Sequence, residues 1–286
     1  MRLGFHVSIS GKLSESIERA KRLNCQTMQI FSRNPRGWQL NKVKPVEIEE
    51  FKKKRKKAGI YPLFVHVPYL INLASPEKIV WRKSIKFFME DLQFSELIDA
   101  DYLITHLGSH KGKGENFGER RFVEGINISL NEAKTKIEIL LENTAGQGNS
   151  IGYNFLQIKE IRDKIEKKEL IGLCLDTAHV FSAGYSINTP EGLNKTFSEL
   201  DSLGLLKKLK LIHLNDTKVD FGARVDRHEH IGKGSIGREG FKAILNHPLL
   251  GKLSFIMETP KKSELDDLRN LETVLSLTAK KKHTTP

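Results

Sequence analysis

The chain has 286 residues, of which 47 are Lys or Arg and 35 are Asp or Glu, so its net charge is 47 − 35 = +12. Hydrophobic residues make up 38% and charged residues 29%, a balance that excludes a disordered or collagen-like chain. The two cysteines, Cys25 and Cys174, exclude a disulfide scaffold and a zinc site built from four cysteines. No run approaches 18 apolar residues and the N-terminus has no apolar signal segment, so we expect a cytoplasmic protein without membrane spans.

The excess of positive charge is compatible with two interpretations. It attracts phosphate-rich polymers, and it is equally typical of a lysine-rich solvated surface. The densest basic run, Lys52–Lys57, resembles a nuclear-localisation patch. We predict instead that it forms the outer face of a helix over Val46–Ala58, because Ile48 and Phe51 give that segment an apolar stripe.

Eight short apolar runs, rich in β-branched residues, alternate with longer helical patterns along the chain. The runs are Leu3–Ile9, Thr27–Phe31, Tyr61–His66, Tyr102–Leu107, Ile137–Asn143, Ile171–Thr177, Leu209–Asn215 and Leu253–Thr259. The helical patterns include Glu77–Leu97, Glu119–Ala133, Pro190–Leu203 and Glu264–Thr278. Nearly continuous apolar character predicts parallel strands that are buried on both faces.

This alternation predicts an α/β fold, a single-domain (β/α)8 TIM barrel over residues 1–280. A doubly wound open sheet is the competing architecture. We expect residues 281–286 to form a disordered basic tail.

Side chains of the kind that bind metals stand at the ends of most of these runs. The first run contains His6, and later runs end at or near His66, His106, Glu142, Asp176, His213 and Glu258. In a parallel barrel the C-terminal ends of the strands surround the axis on one face, so these side chains converge. A single His at a strand end is explained by an ordinary hydrogen bond. So many imidazoles and carboxylates in one place would repel each other or shift their pKa values unless a cation compensated them.

Two further clusters extend this predicted metal site. In the segment DTAH, Asp176 and His179 are three residues apart just beyond a strand, so both side chains can enter the same mouth. In DRHEH, Asp226 and His228 share one face of an extended segment. Together with His179 they offer two nitrogens and one oxygen, which suits Zn2+ or Mn2+. A solvated polar loop is the alternative interpretation of DRHEH.

Two glycine patterns have simpler explanations than nucleotide binding. Gly232–Gly237 matches G-x-G-x-x-G, but a polar loop precedes it where a dinucleotide fingerprint needs a strand, so we expect no nucleotide cofactor. Gly146–Gly152 lets the backbone approach a phosphate or simply turns the chain.

Seven segments together resemble the signatures of the endonuclease IV family of apurinic/apyrimidinic (AP) endonucleases. They are HVPYLINLA, HLGSH, LLENTAGQG, LCLDTAHVFSAGY, IHLNDTK, RVDRHEHIGKGSIG and IMETP, and the resemblance runs in order from His6 to Glu258. It implies a (β/α)8 barrel with three zinc ions, one of which Mn2+ can replace. The implied ligands are His66, His106 and Glu142 for the first ion; Glu142, Asp176, His213 and Glu258 for the second; and His179, Asp226 and His228 for the third.

The resemblance also implies the reaction. The enzyme would hydrolyse the phosphodiester bond 5′ to an abasic site in duplex DNA, leaving a 3′-hydroxyl and a 5′-deoxyribose phosphate, and would also trim blocked 3′ ends. Zinc lowers the pKa of bound water to about 7 and so supplies hydroxide at neutral pH. Glu142, which bridges two ions, and Glu258, which orients or deprotonates the water, are the implied catalytic residues.

Recognition of the lesion is expected to depend on nucleotide flipping, which is cheap where no base is paired or stacked. By resemblance, Arg36, Tyr69 and Leu70 are the side chains that enter the bent duplex. The sequence departs from the family pattern at Leu107, where Pro is usual, and at Gly37, where some members carry a longer polar side chain beside the inserted Arg. The expected partner is damaged double-stranded DNA, bound by a monomer.

Two other functions are compatible with parts of this pattern. A metal-dependent sugar isomerase or epimerase of similar barrel fold would use the quartet Glu142, Asp176, His213 and Glu258, but it would need neither the five remaining ligands nor a positive surface. A non-catalytic DNA-binding barrel would not need nine ligands. The endonuclease therefore remains the favoured prediction.

Overall fold

The structure, a computed structural model, describes residues 1–39 and 43–279. Its strands are β1 (Arg2–His6), β2 (Thr27–Phe31), β3 (Leu63–His66), β4 (Tyr102–His106), β5 (Glu138–Glu142), β6 (Ile171–Asp176), β7 (Leu209–His213), β8 (Asp216–Thr217), β9 (His228–Glu229) and β10 (Ser254–Met257). Its helices are α1 (Glu15–Arg22), α2 (Pro45–Ala58), α3 (Lys78–Leu97), α4 (Glu115–Ala133), α5 (Phe155–Lys164), α6 (Thr177–Ser182), α7 (Pro190–Ser202), α8 (Gly237–Leu245) and α9 (Glu264–Leu277). The predicted tail at 281–286 lies outside the described residues.

Eight of the strands close into a barrel in the order β1-β10-β7-β6-β5-β4-β3-β2. Every neighbouring pair is parallel, and β1 pairs with both β2 and β10, so the sheet has no free edge. The predicted TIM barrel is therefore confirmed, and the open-sheet alternative is wrong. In this fold all the loops that follow strands lie on one face, which is where such barrels carry their functional side chains.

The barrel interior is filled below this face by one apolar layer, which we call the floor layer. Its members come one each from the six adjacent barrel strands β3, β4, β5, β6, β7 and β10, and all are fully buried: Phe64, Ile104, Leu140, Cys174, Leu211 and Ile256. Side chains one position along each strand point the other way and pack under the helices, as Val65, Leu103 and Leu141 do. Burial on both faces explains why these strands are apolar throughout.

Most of the predicted helices begin and end within one residue of their observed limits. The exception is α4, which begins at Glu115, one turn before the predicted start. Helix α2 covers the predicted segment and buries Ile48 and Phe51. The prediction that the whole basic run faces outward is wrong for Arg55, which is 5% exposed. Its guanidinium lies 4.7 Å from the Tyr61 ring and donates to the Asp99 carbonyl.

The long connection between β7 and α8 contains the hairpin of β8 and β9, in which Thr217 faces His228. The glycine segment that follows wraps around one carboxylate, because the Asp216 side chain accepts from the backbone of Gly234 (2.9 Å) and Ile236 (3.0 Å). A Cβ at Gly234 would lie 2.2 Å from the Thr217 carbonyl oxygen, so only glycine fits. Within the described residues, no helix combines the length and apolar character needed to cross a membrane.

Candidate metal centre

Six of the predicted ligands form a second interior layer at the mouth of the barrel, which we call the mouth layer. Five are the last residues of their strands and Glu258 directly follows β10. In chain order the mouth layer is His66, His106, Glu142, Asp176, His213 and Glu258. Each member stands two residues after a floor-layer residue, so the twofold periodicity of a strand points both side chains into the barrel. Regular strand geometry therefore brings together six residues that are far apart in the sequence.

Glu142 lies at the centre of the mouth layer and contacts groups on both sides. One carboxylate oxygen, Oε2, is 2.9 Å from Nε2 of His66 and 3.7 Å from Nε2 of His106. The other, Oε1, is 3.0 Å from Nδ1 of His213. The side chain is 1% exposed. The two carboxylate oxygens of Glu142 therefore face different sets of imidazole nitrogens.

The second group surrounds Nδ1 of His213. Besides Glu142, this nitrogen lies 3.4 Å from Oε2 of Glu258 and 3.9 Å from Oδ2 of Asp176. Ligand atoms of these four residues all lie within 4.8 Å of one another. The Cys174 thiol of the floor layer is also within this distance of Glu142 and His213.

The third group comes from segments that follow β6 and β7 rather than from the ends of barrel strands. His179 lies in the short helix α6, and His228 is carried by β9 of the hairpin. Oδ2 of Asp226 is 3.2 Å from Nε2 of His179, and its Oδ1 is 3.4 Å from Nε2 of His228. Asp176 also approaches this group, because its Oδ2 lies 3.7 Å from Nε2 of His228. All nine predicted ligands are thus close together, although their assignment as ligands remains a prediction.

The orientation of the imidazoles fits a bound cation. Nδ1 donates to a backbone carbonyl in three of them: His66 to Val67 (2.6 Å), His179 to Asn143 (3.0 Å) and His228 to Glu258 (3.2 Å). In each ring Nε2 is left to face the other ligands. Among the described residues, the buried Nε2 atoms of His179 and His228 make no well-directed hydrogen bond, although oxygens of Asp226 lie 3.2 and 3.4 Å away. Buried nitrogens normally have a partner, and a metal ion would satisfy both.

The pKa shifts of the clustered side chains also fit a bound cation. Burial opposes ionisation of Glu142, yet the positive charges of His106 and His213 hold its pKa well below the usual range. Burial also opposes the charged form of His179, but the carboxylates of Asp176 and Asp226 raise its pKa to about 10. Glu142 is therefore an ionised carboxylate whose charge the surrounding histidines compensate. Nitrogen and oxygen donors of this kind suit Zn2+ or Mn2+.

The three predicted DNA-contact residues lie on loops of the same face. Tyr69 and Leu70 follow β3 and line a cavity together with His106, His179 and Asp226. The Tyr69 side chain is 67% exposed, and its ring packs edge-on against Phe31, with centroids 5.4 Å apart. Arg36 is exposed in the loop after β2, where its backbone N–H donates to Oδ1 of Asn34 (3.0 Å). These positions are open to a large ligand.

Several polar residues that support the centre were missed by sequence reasoning. Asn215 donates to Oδ2 of Asp176 (2.7 Å) and accepts from the backbone of Glu258 (2.8 Å). Gln29 of β2 contacts His213 and Glu258. Gln147 accepts from the backbone of Asp226 (2.9 Å). For Gln29 and Asn215 the available signal was a neutral polar side chain in or beside an apolar strand, which needs a buried partner.

Arg33 was also missed, and it fastens the loop that carries Arg36. Its side chain is 1% exposed. It donates to Asp91 of α3 and to the carbonyl oxygens of Trp38 (2.6 Å) and Phe87 (3.1 Å). A buried ion pair therefore holds the loop after β2 against α3. Arg36 is exposed on this anchored loop.

Comparison with known proteins places this arrangement in a family. The family model described as a xylose isomerase-like TIM barrel matches residues 17–279. A protein of Halothermothrix orenii named "Probable endonuclease 4" is 46% identical, with 93% of this chain and 96% of that protein covered. A protein of the same name from Methanosphaerula palustris is 42% identical, with 97% and 98% covered.

A solved structure agrees with these relatives. The crystal structure of endonuclease IV from Thermus thermophilus superposes with a TM-score of 0.86 at 32% identity, covering 97% of this chain and 98% of that one. The fold and the cluster of ligand-type side chains identify the general class of the protein, which is a xylose isomerase-like TIM barrel enzyme. Within that class, the chain belongs to the endonuclease IV family of AP endonucleases, as the sequence resemblance predicted.

Proposed function

We propose that this protein hydrolyses the phosphodiester bond on the 5′ side of an abasic site in duplex DNA, using three zinc ions held by the nine clustered residues. The observation that carries the proposal is the presence of two sets of donors beside the quartet Glu142, Asp176, His213 and Glu258. The quartet alone would serve a metal-dependent sugar isomerase. Such an isomerase would have no use for His66 and His106, or for the group of His179, Asp226 and His228, whose ligand-type atoms lie 3.2 and 3.4 Å apart.

The residues divide into three proposed metal sites. His66 and His106 with Glu142 would hold the first ion, and Glu142 with Asp176, His213 and Glu258 the second. His179, Asp226 and His228 would hold the third, with Asp176 close enough to contribute. Metal ions in these sites would supply Lewis acidity at the phosphate and a nucleophile from water at neutral pH.

The side chains of the protein position the reacting groups. Burial opposes ionisation of Glu258, but the charge of His213 and the hydrogen bond from His6 lower its pKa, so it is a carboxylate that can orient the attacking water. The water oxygen bonds to phosphorus as the bond from phosphorus to the 3′ oxygen breaks. That oxygen takes up the proton that the attacking water gives up and leaves as a 3′-hydroxyl, and the phosphate stays on the 5′ side of the abasic sugar. The same chemistry would release blocking groups from 3′ ends.

Recognition is assigned to the loops around the mouth. The cavity beside Tyr69 and Leu70 opens directly onto His106 and His179, so a sugar-phosphate turned out of the duplex would meet the centre there. Arg36, Tyr69 and Leu70 would fill the space left in the helix. An abasic nucleotide is the cheapest to extrude because it has no base to unstack or unpair.

Incision of an end-labelled duplex carrying one abasic site tests this proposal, with an undamaged twin as the control. We expect a single cut 5′ to the lesion, absent from the twin, whose 3′ end a polymerase can extend. If folded protein loaded with zinc cuts neither duplex, the proposed function is overturned, and a screen of sugar isomerisation becomes the next experiment.

A further inference from the structure

The four histidines with defined partners in the centre are not all oriented by the same kind of group. His66, His179 and His228 donate from Nδ1 to backbone carbonyls and present Nε2 to the centre. His213 is turned the other way, because its Nδ1 faces the carboxylates of Glu142 and Glu258. Its Nε2 donates instead to a side chain, Oε1 of Gln29, at 2.7 Å.

Gln29 lies in the middle of β2, a strand that contributes none of the nine predicted ligands. It is fully buried. Its amide nitrogen is 2.5 Å from Oε1 of Glu258 and 2.8 Å from Nδ1 of His6. The direction of the amide is fixed by chemistry, since a carboxylate only accepts and therefore must face the NH2 group. The amide oxygen is then left for the N–H of His213.

We propose that Gln29 is a positioning residue of the metal centre, which holds His213 in the tautomer that frees Nδ1 and holds Glu258 beside it. The inference rests on the proposed metal centre and does not depend on the DNA substrate. A histidine ligand needs a partner for its second nitrogen to fix its tautomer and ring angle, and loss of such a partner commonly weakens metal binding by about 10–100-fold. For the other three rings that partner is main chain. For His213 it is a side chain, so one substitution can remove it.

His6 completes this small network from β1. Its Nδ1 lies 3.0 Å from the same carboxylate oxygen of Glu258 that Gln29 contacts. Its ring packs against Phe31, with centroids 4.1 Å apart, and Phe31 in turn contacts Tyr69. Strands β1 and β2, which provide no predicted ligand, therefore hold one wall of the centre in place.

The substitution Gln29→Met tests the proposal, because methionine fills nearly the same volume and offers no amide. We expect it to weaken binding of one zinc ion per chain by about 10–100-fold in competition with a chelator. We also expect kcat on abasic DNA to fall while KM stays the same, because no proposed DNA contact is touched. We expect the Nε2 proton of His213 to exchange slowly in the wild-type protein, where it is bonded to Gln29, and its NMR signal to be lost in the variant.

Gln157→Met is the matched control. Gln157 is 5% exposed, its amide oxygen accepts from the backbone of Gly152, and its NH2 group donates to Glu115 and Glu119. The Gln157→Met substitution therefore removes a buried amide that is bonded to carboxylates, as Gln29→Met does, but it touches no predicted ligand. We expect Gln157→Met to lower the melting temperature and to leave zinc affinity unchanged.

A second variant covers the case in which Gln29→Met does not fold. Gln29→Asn keeps the amide but is one methylene too short to reach both His213 and Glu258, so the same loss of one zinc ion is expected. Wild-type zinc affinity in either folded Gln29 variant, measured beside a fully loaded and active wild-type protein, would overturn this inference alone. A wild-type protein that binds no zinc would overturn the proposed function together with it.

Discussion

The floor layer and the mouth layer stand two residues apart on the same six strands, yet their chemistry is opposite. The floor layer is apolar and fully buried. The mouth layer consists of histidines and carboxylates, of which Glu142, Asp176 and His213 are almost completely buried. Both layers have the same backbone arrangement, because both follow from parallel strands closed into a barrel. The difference teaches that the lower layer stabilises the barrel through apolar burial, whereas the upper layer gathers charged and ligand-type groups that bound metal would hold together.

Removing the central carboxylate should have the largest effect on the mouth layer. We expect Glu142→Ala to lose metal at the two sites that we propose it bridges and to reduce incision by more than about 10³-fold, since metal ions contribute several kcal/mol to such reactions. The measurements are metal content per chain and single-turnover cleavage. Glu138→Ala, at the other end of β5 and paired there with Lys210, is the control and should keep its metal. A fully active Glu142→Ala protein would refute the bridging role.

The same strand can be tested one layer lower. Leu140→Ala leaves a cavity in the floor layer and should reduce the free energy of unfolding by about 2–5 kcal/mol. Urea denaturation of the metal-free protein measures this loss. Activity per folded, zinc-loaded molecule should change little. If Leu140→Ala instead releases metal without loss of stability, the division of labour between the layers is wrong.

When the metal is removed, ligand side chains should take up protons in its place. In the metal-free protein the neighbouring carboxylates raise the pKa of His179 to about 10. His179 is therefore protonated at pH 8, although it would be neutral in the unfolded chain. Its contact with the carboxylates stabilises the metal-free fold below pH 6.5 and is lost as the pH rises through about 10.

Zinc needs the neutral ring at its ligand nitrogen. Binding at pH 8 should release about one proton from this site, and zinc affinity should rise with pH. Calorimetry in two buffers of different ionisation enthalpy measures the release. Binding enthalpies that are the same in both buffers would show that no proton is released. That result would contradict the proposal that His179 is protonated without metal and binds zinc as a neutral ring.

The smallest effect is expected at the rim, outside both layers. Arg36→Ala should raise KM for abasic DNA by about 10-fold, in the range found for single arginine contacts, and should leave metal content and melting temperature unchanged. Arg33→Met, which removes the buried ion pair under the same loop, should raise KM and lower the melting temperature. If Arg36→Ala binds abasic DNA as tightly as the wild-type protein, the loop after β2 does not enter the duplex.

Much of the mouth layer could be predicted from the sequence, because each member ends an apolar strand and the barrel brings strand ends together. His66 and Glu142 are examples in which pattern and topology are enough. The role of Gln29 could not be predicted, since a glutamine in TMQIF gives no sign of which strand it faces. Arg55 shows the opposite error: charge suggested solvent, whereas the end of α2 buries the guanidinium against Tyr61 and Asp99.

The grouping of the nine residues is what separates an endonuclease centre from a sugar isomerase of the same fold. Anomalous diffraction at the zinc edge, from crystals of the zinc-loaded protein, tests it most directly. We predict three zinc positions, two of them bridged by Glu142 and the third held by His179, Asp226 and His228. A single position within the quartet of Glu142, Asp176, His213 and Glu258 would contradict the account.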